Sequence, residues 1–218
     1  MIRNIIFDID GTLADTSSDI IASANYSLKQ NGFSISLNLK SFKAVANKGS
    51  VEMFKKLLGK KINKKLISDL NYFFLNHYKK NICVRSKLKK NVLFFLKHCK
   101  KKKIRLFVST NKSEKNAKLL LKKLKILKYF LFVAGSDTFN HKKPSALHLN
   151  MLQKKFFIKK DQTVLVGDTE VDSNLAKNFK IKFILIKKGY TILRPFDISS
   201  NFIISDFSQI TQFLKKIS

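Results

Sequence analysis

Ile5-Ile6-Phe7-Asp8-Ile9-Asp10-Gly11-Thr12-Leu13, followed at once by Ala14-Asp15, is the stretch on which the reading of this chain turns. A short apolar run leads into two aspartates two residues apart, then into a Gly-Thr turn. Residues at that spacing share one face of a strand. Asp8 and Asp10 can therefore aim at a common point beyond the strand's end. Like charges set together need a hard cation, a proton, or both to balance them.

The rest of the chain makes this pairing conspicuous. Lys and Arg total 44 against 14 Asp and Glu, a formal net charge of +30. Yet no lysine precedes Lys29, whereas Asp8, Asp10, Asp15 and Asp19 all do. A second lysine-free window, Thr163 to Ala176, carries Asp168, Glu170 and Asp172. Scarce acids gathered into two short segments imply a site that holds them there.

Composition bounds the remaining classes. With 218 residues, 44% of them hydrophobic, the chain suits a single sizeable domain or a core carrying an insertion, and not a disordered one. Lysine and phenylalanine are abundant, whereas glycine (7) and proline (2) are few. A/T-rich codon bias yields such a list, and a basic surface of either origin attracts anions. Cys83 and Cys99 lack CxxC spacing, which argues against a disulfide framework or zinc site and for a reduced, cytoplasmic protein. The N-terminal apolar run is broken by aspartates, so no signal peptide is expected, and no stretch has the length of a membrane span. Lys100-Lys101-Lys102-Lys103 reads as a lysine-rich helix end favoured by the macrodipole.

Strands are expected at Asn4–Phe7, Ile104–Val108, Leu131–Ala134, Thr163–Val166, Lys182–Ile186 and Phe202–Ile204. Several are continuous apolar runs, as in a parallel sheet covered on both faces. Helices alternate with them: one follows Ser113 to about Leu124, one is opened by Pro144 and runs to about Lys154, and the last begins at Asp206 or Ser208. The alternation predicts an α/β, doubly wound (Rossmann-like) parallel sheet. From Ser17 to Arg85 the rhythm breaks into helical patterns at Asp19–Gln30, Val51–Leu58 and Lys64–Tyr78, with Gly32, Gly49 and Gly59 near their joints. The expected division is a core of residues 1–16 plus 86–218 and a helical cap of residues 17–85. Inserted after the first strand, that cap would sit over the sheet edge where such folds bind ligands.

Four polar clusters follow predicted strands or lie in loops: Asp8/Asp10/Thr12, Thr110/Asn111, Lys142/Lys143-Pro144 and Asp168/Asp172. Brought together at the switch point, they supply carboxylates, a hydroxyl and a lysine, a set suited to Mg²⁺ plus phosphate. Each has a plainer reading. Thr110-Asn111 can serve as a helix-entry turn, Asp172 as a helix cap, and either Lys142 or Lys143 can face the site. Glu170 is expected in a solvated loop and His141 in a surface loop; the four histidines show no metal spacing.

Asp8-Ile9-Asp10-Gly11-Thr12 resembles the first motif of the haloacid dehalogenase-like phosphohydrolases. Val108-Ser109-Thr110-Asn111-Lys112 resembles the second, Lys143-Pro144 the third and Gly167-Asp168-Thr169-Glu170-Val171-Asp172 the GDxxxD fourth, in order across the chain. Asp15 to Ile20, Lys188-Gly189-Tyr190 and Asn201 to Ile204 are similar to the phosphoglycolate phosphatase group within that family. The resemblance implies a Mg²⁺-dependent phosphatase for a small anionic phosphorylated metabolite, with 2-phosphoglycolate foremost. It implies Asp8 as nucleophile and Asp10 as general acid and base. It also implies phosphate binding by Thr110, Asn111 and Lys143, and Mg²⁺ held by Asp8, Asp10 (through its main-chain carbonyl), Asp168 and Asp172.

Other substrates for the same core are a sugar phosphate or pyrophosphate, or a phosphomutase reaction. A nucleic-acid or other polyanion binder is the rival of a different class, prompted by the charge but lacking any nucleic-acid motif. A monomer or homodimer is expected. Two departures from the family pattern stand out. Ala176-Lys177-Asn178-Phe179-Lys180 replaces small residues and a glycine, so Phe179 should pack there. The cap segment Ala46-Asn47-Lys48-Gly49 aligns poorly apart from its glycine.

Overall fold

A computed structural model describes residues 1–46, 49–59 and 62–216 of the chain; Asn47 and Lys48 of the cap segment lie outside the described residues. The sheet starts from β1 (Asn4–Phe7), every residue of which is buried. Its neighbours are β4 (Arg105–Ser109) and β6 (Thr163–Gly167), both parallel to it, with Phe7 opposite Val108 on one side and Val166 on the other. Beyond them lie β5 (Phe132–Ala134), then β7 (Lys182–Ile186) and β8 (Phe202–Ile204), giving the order β5-β4-β1-β6-β7-β8. All pairs are parallel. The six strands coincide with the expected runs to within a residue at either end.

Strand alternation sends successive side chains to opposite helical layers. Ile5 and Phe7 pack with α5 (Val92–Lys101), α6 (Glu114–Lys123) and α9 (Ser208–Lys216). Ile6 faces α7 (Ala146–Phe156) and α8 (Glu170–Phe179). Phe7 anchors the first layer, its ring edge-on to Phe95 at 6.3 Å and stacked on Phe207 at 6.1 Å. Phe179 is buried in the second layer, where the sequence expects it.

The insertion holds α1 (Ser17–Gln30), α2 (Leu39–Lys43), α3 (Ser50–Leu58) and α4 (Lys64–Lys80). Small residues on α1 let α4 lie close: Ser27 Oγ donates to the Leu70 carbonyl at 2.6 Å, and Ala24 is buried between. The chain enters and leaves through a two-stranded antiparallel ribbon, β2 (Ala14–Asp15) with β3 (Lys87–Leu88). Sequence reading misses this ribbon and the five-residue α2, because neither is long enough to show a period. What starts α2 is local chemistry: Asn38 Oδ1 accepts from the Ser41 backbone N–H at 3.0 Å.

Two expectations are corrected. Pro144 does not open α7; that helix starts at Ala146 with Ser145 as its cap, and Pro144 stays in the preceding loop after a cis peptide bond. The reason lies upstream, where Asn111 holds the Lys143 backbone at both its N–H (2.9 Å) and its carbonyl (3.3 Å), fixing the loop before the helix begins. Glu170 is not in a loop. It opens α8, where a carboxylate suits the positive helix end, and accepts from the Thr191 hydroxyl at 3.0 Å. No helix among the described residues is long and apolar enough to cross a membrane.

Candidate active site

The three central strands β4, β1 and β6 end side by side, and the loops leaving them carry Thr110, Asp8 and Asp168. This is the carboxyl edge at which open α/β sheets bind ligands. A cleft of about 660 Å³ opens there between sheet and insertion, lined by Asp8, Asp10, Thr110, Asn111, Lys143 and residues of α2 to α4. Asp8, Asp168 and Asp172 are buried and offer carboxylate oxygens within 4.8 Å of one another, the one such acidic group among the described residues.

Each carboxylate is held by specific donors. Lys143 Nζ lies 2.7 Å from Asp8 Oδ1 and 2.7 Å from Asp172 Oδ1. The adjacent Lys142 is exposed. Asp168 accepts from the Thr12 hydroxyl at 2.7 Å and from the Tyr190 backbone N–H at 2.7 Å. A methyl group at Gly11 or Gly189 would land on the Asp168 carboxylate, so glycine at both positions is a requirement of space, and at Gly11 also of its φ of +86°. Asp172 Oδ2 accepts from the Thr169 hydroxyl at 2.9 Å and from the Asp168 and Thr169 backbone N–H groups at 3.3 Å, closing the first turn of α8. Asp172 thus braces the helix start and meets Lys143 with its other oxygen.

Three buried carboxylates facing one ammonium leave excess negative charge. Burial pushes the Asp8 carboxyl up to about 7, helped by Asp172 and Asp10 and opposed by Lys143. Asp168 is likewise raised well above the usual carboxylate range, first by burial and then by Asp8 and Asp172. Burial pulls Lys143 down, but Asp172 and Asp8 outweigh it and keep the ammonium charged. An all-oxygen donor set with unbalanced negative charge fits a hard divalent cation.

Asp10 stands apart from that trio. Its Oδ1 accepts from the Thr16 hydroxyl at 2.6 Å, and its Oδ2 lies 3.3 Å from Lys112 Nζ. Thr16 is fixed in turn by Tyr190, whose phenol accepts from the Thr16 N–H at 2.6 Å and meets Asp15 Oδ1 at 2.8 Å. Thr110 lines the cleft beside Asp8, its hydroxyl accepting from the Lys112 N–H at 3.2 Å. Asn111 also lines it while gripping Lys143. His141 lies in the loop and contributes its carbonyl to His148 Nδ1 at 2.6 Å.

Sequence reading gives no role to Thr16, Tyr78, Lys112 or Tyr190. Lys112 and Tyr190 lie inside stretches already singled out. Tyr78, on α4, carries no signal beyond helical periodicity.

This geometry coincides with a family match. The model of the haloacid dehalogenase-like hydrolases matches residues 5–186, and the chain belongs to that family. A phosphoglycolate phosphatase of Mesorhizobium japonicum is 28% identical over 210 residues, covering 95% of this chain and 92% of that protein. One from Colwellia psychrerythraea is 30% identical over 197 residues, covering 85% and 84%. Among solved structures, a predicted phosphoglycolate phosphatase of Haemophilus somnus superposes with a TM-score of 0.90 at 24% identity, covering 98% of each chain.

Proposed function

We propose that this chain, a phosphoric monoester hydrolase of the haloacid dehalogenase-like family, is a Mg²⁺-dependent 2-phosphoglycolate phosphatase that works through a phosphorylated Asp8. The observation that carries the reading is Asp8 itself. It ends the central strand, is held at Oδ1 by Lys143, and stands beside Asp10 in a cleft closed by helices. The relatives from Mesorhizobium japonicum and Colwellia psychrerythraea support the substrate.

Asp8 Oδ2, left by Lys143, attacks phosphorus as the ester oxygen departs. Asp10 protonates that oxygen, then removes a proton from the water that cleaves the acyl phosphate, so one carboxyl serves both steps. The Thr16 hydroxyl and Lys112 ammonium hold Asp10 in position for both. Lys143 and the Thr110 hydroxyl bind phosphoryl oxygens, and Asn111 fixes Lys143 by its backbone. Asp8, the Asp10 carbonyl and Asp168 would hold Mg²⁺, with Asp172 supporting. When bound, that ion supplies positive charge that offsets repulsion between the Asp8 carboxylate and the phosphoryl oxygens. Residues 17–85 act as the cap that shuts water out, turning about the β2–β3 ribbon.

Phosphate release from a panel of phosphomonoesters, with Mg²⁺ and with EDTA, tests the reading. The expected result is the highest kcat/KM for 2-phosphoglycolate and loss of turnover in EDTA. A sugar phosphate or pyrophosphate at the head of the panel overturns the substrate. Isomerisation without phosphate release makes the chain a mutase. Full activity in EDTA removes the metal.

A further inference from the structure

Lys112 ends the second motif on the loop leaving β4, yet its ammonium reaches across the cleft. Nζ lies 2.8 Å from the Tyr78 hydroxyl on α4, 3.3 Å from Asp10 Oδ2 and 4.4 Å from the centroid of the Tyr78 ring. The side chain is only 9% exposed. An ammonium withdrawn this far from water has to be compensated. Burial pulls its pKa down, but Asp10 and Tyr78 more than reverse that, so the group stays charged. Of its three N–H donors, Asp10 and Tyr78 account for two.

We propose that Lys112 is the specificity-determining cation of the cleft, binding a carboxylate carried by the leaving group and so selecting phosphate esters of small hydroxy acids. The inference rests on the phosphatase reading above and deepens it. Its geometric basis is the position of Asp10. The ester oxygen must reach the Asp10 carboxyl to be protonated, and in the ester of a 2-hydroxy acid the carbon bearing that oxygen also bears the carboxylate. The substrate carboxylate therefore comes down beside Asp10, where Lys112 Nζ stands.

The other walls of the cleft make the same assignment. Lys143 is held by Asp8 and Asp172 on the phosphoryl side, and Lys142 also lines the cleft but is exposed to solvent. Facing the core, the described wall of the insertion is largely apolar, with Phe42, Val45, Met53, Phe74 and Leu75, and supplies no lysine or arginine. Of the described cations lining the cleft, Lys112 is the sheltered one that stands beside Asp10, with the Tyr78 hydroxyl as a further donor next to it. In such sheltered surroundings an ammonium–carboxylate contact is strong, whereas an uncharged leaving group leaves Lys112 with nothing new.

The test compares kcat/KM for 2-phosphoglycolate with that for its primary amide, which keeps the shape and removes the charge. The unaltered chain is expected to favour the acid by about tenfold or more. Lys112→Met, which also frees Asp10, should lower kcat for both substrates and in addition raise KM for the acid, bringing the ratio close to one, and Lys112→Arg should restore part of it. Tyr78→Phe should narrow the ratio less. A ratio near one in the unaltered chain overturns the proposal without any variant having to fold. So does a Lys112→Met variant that loses both substrates by the same factor. If the unaltered chain hydrolyses an aryl phosphate but not 2-phosphoglycolate, the proposed substrate falls. Lys112 is then judged by the same ratio for 2-phospholactate and its amide, with the same outcomes supporting or overturning it.

Discussion

Ser86 donates both its backbone N–H (2.8 Å) and its hydroxyl (2.6 Å) to Asp19 Oδ2, tying the segment that leaves the insertion to the helix that begins it. The Val84 and Arg85 backbone N–H groups reach the same carboxylate at 3.1 and 2.9 Å. Asp19 is buried near the start of α1 and is not among the residues that line the cleft. Its role is to fix the second connection just before β3. Asp19→Ala strands three N–H groups and should lower folding stability by about 3 kcal/mol in urea titrations. Amide exchange at Val84, Arg85 and Ser86 should lose its protection in the variant. Asp19→Asn keeps one acceptor oxygen and should lose about half as much.

Burial makes the charge on Asp8 costly to the folded chain. Its carboxyl is raised to about 7 when folded, against an ordinary value of 3.8. Between those values the folded chain binds more protons than the unfolded one. This group's contribution is therefore fully present below pH 3.8 and disappears as pH rises through about 7. Asp8→Asn removes that slope. In EDTA, the variant's stability relative to the unaltered chain should improve by roughly 2 kcal/mol between about pH 5 and about pH 8, measured by chemical unfolding. Turnover of an aryl phosphate should be abolished. Mg²⁺ should raise the Tm of the unaltered chain at the higher pH and raise that of Asp168→Asn much less.

Asp10 is expected to matter in proportion to how badly the leaving group needs a proton. An alkoxide is a poor leaving group and a nitrophenoxide a good one. Asp10→Asn should reduce kcat for 2-phosphoglycolate by about a hundredfold or more, and for p-nitrophenyl phosphate by much less in the phosphorylation step. A burst of nitrophenolate followed by slow turnover is expected, because in the proposed mechanism the same residue activates water for the second step. Equal losses across a leaving-group series would remove Asp10 as the acid.

The sheet was legible because its strands are uninterrupted apolar runs, and the carboxylates were legible because lysine is excluded around them. Asp8 and Asp168 stand out against a +30 background for the same reason that burial raises both carboxyls: each demands a local environment that the rest of the chain does not share. What escaped depends on contacts across long separations. Nothing near Tyr78 indicates that its hydroxyl meets Lys112, 34 residues away. Tyr190 reaches Thr16 across 174 residues through a turn whose only local cue is Gly189. Helix ends were blurred for a further reason. The chain has 7 glycines, and residues of other types take up left-handed conformations where helices end, at Lys103, Lys125, Phe157 and Lys180.

Lys180 makes that last point testable. It ends α8 at φ 61° and ψ 53°, with its N–H reaching back toward the Ala176 and Lys177 carbonyls. This is the position at which helices favour glycine, because a β-carbon crowds the backbone in the left-handed region. The Lys180 side chain is exposed, so no packing compensates for the strain. Lys180→Gly should raise stability by about 0.5–1 kcal/mol, seen as a higher urea midpoint with unchanged slope. Lys180→Ala retains the β-carbon and should show no such gain. Because residue 180 lies at the far end of α8 from Asp172, kcat and KM should stay as they are. If glycine and alanine give equal midpoints, the end of α8 holds no strain for glycine to relieve.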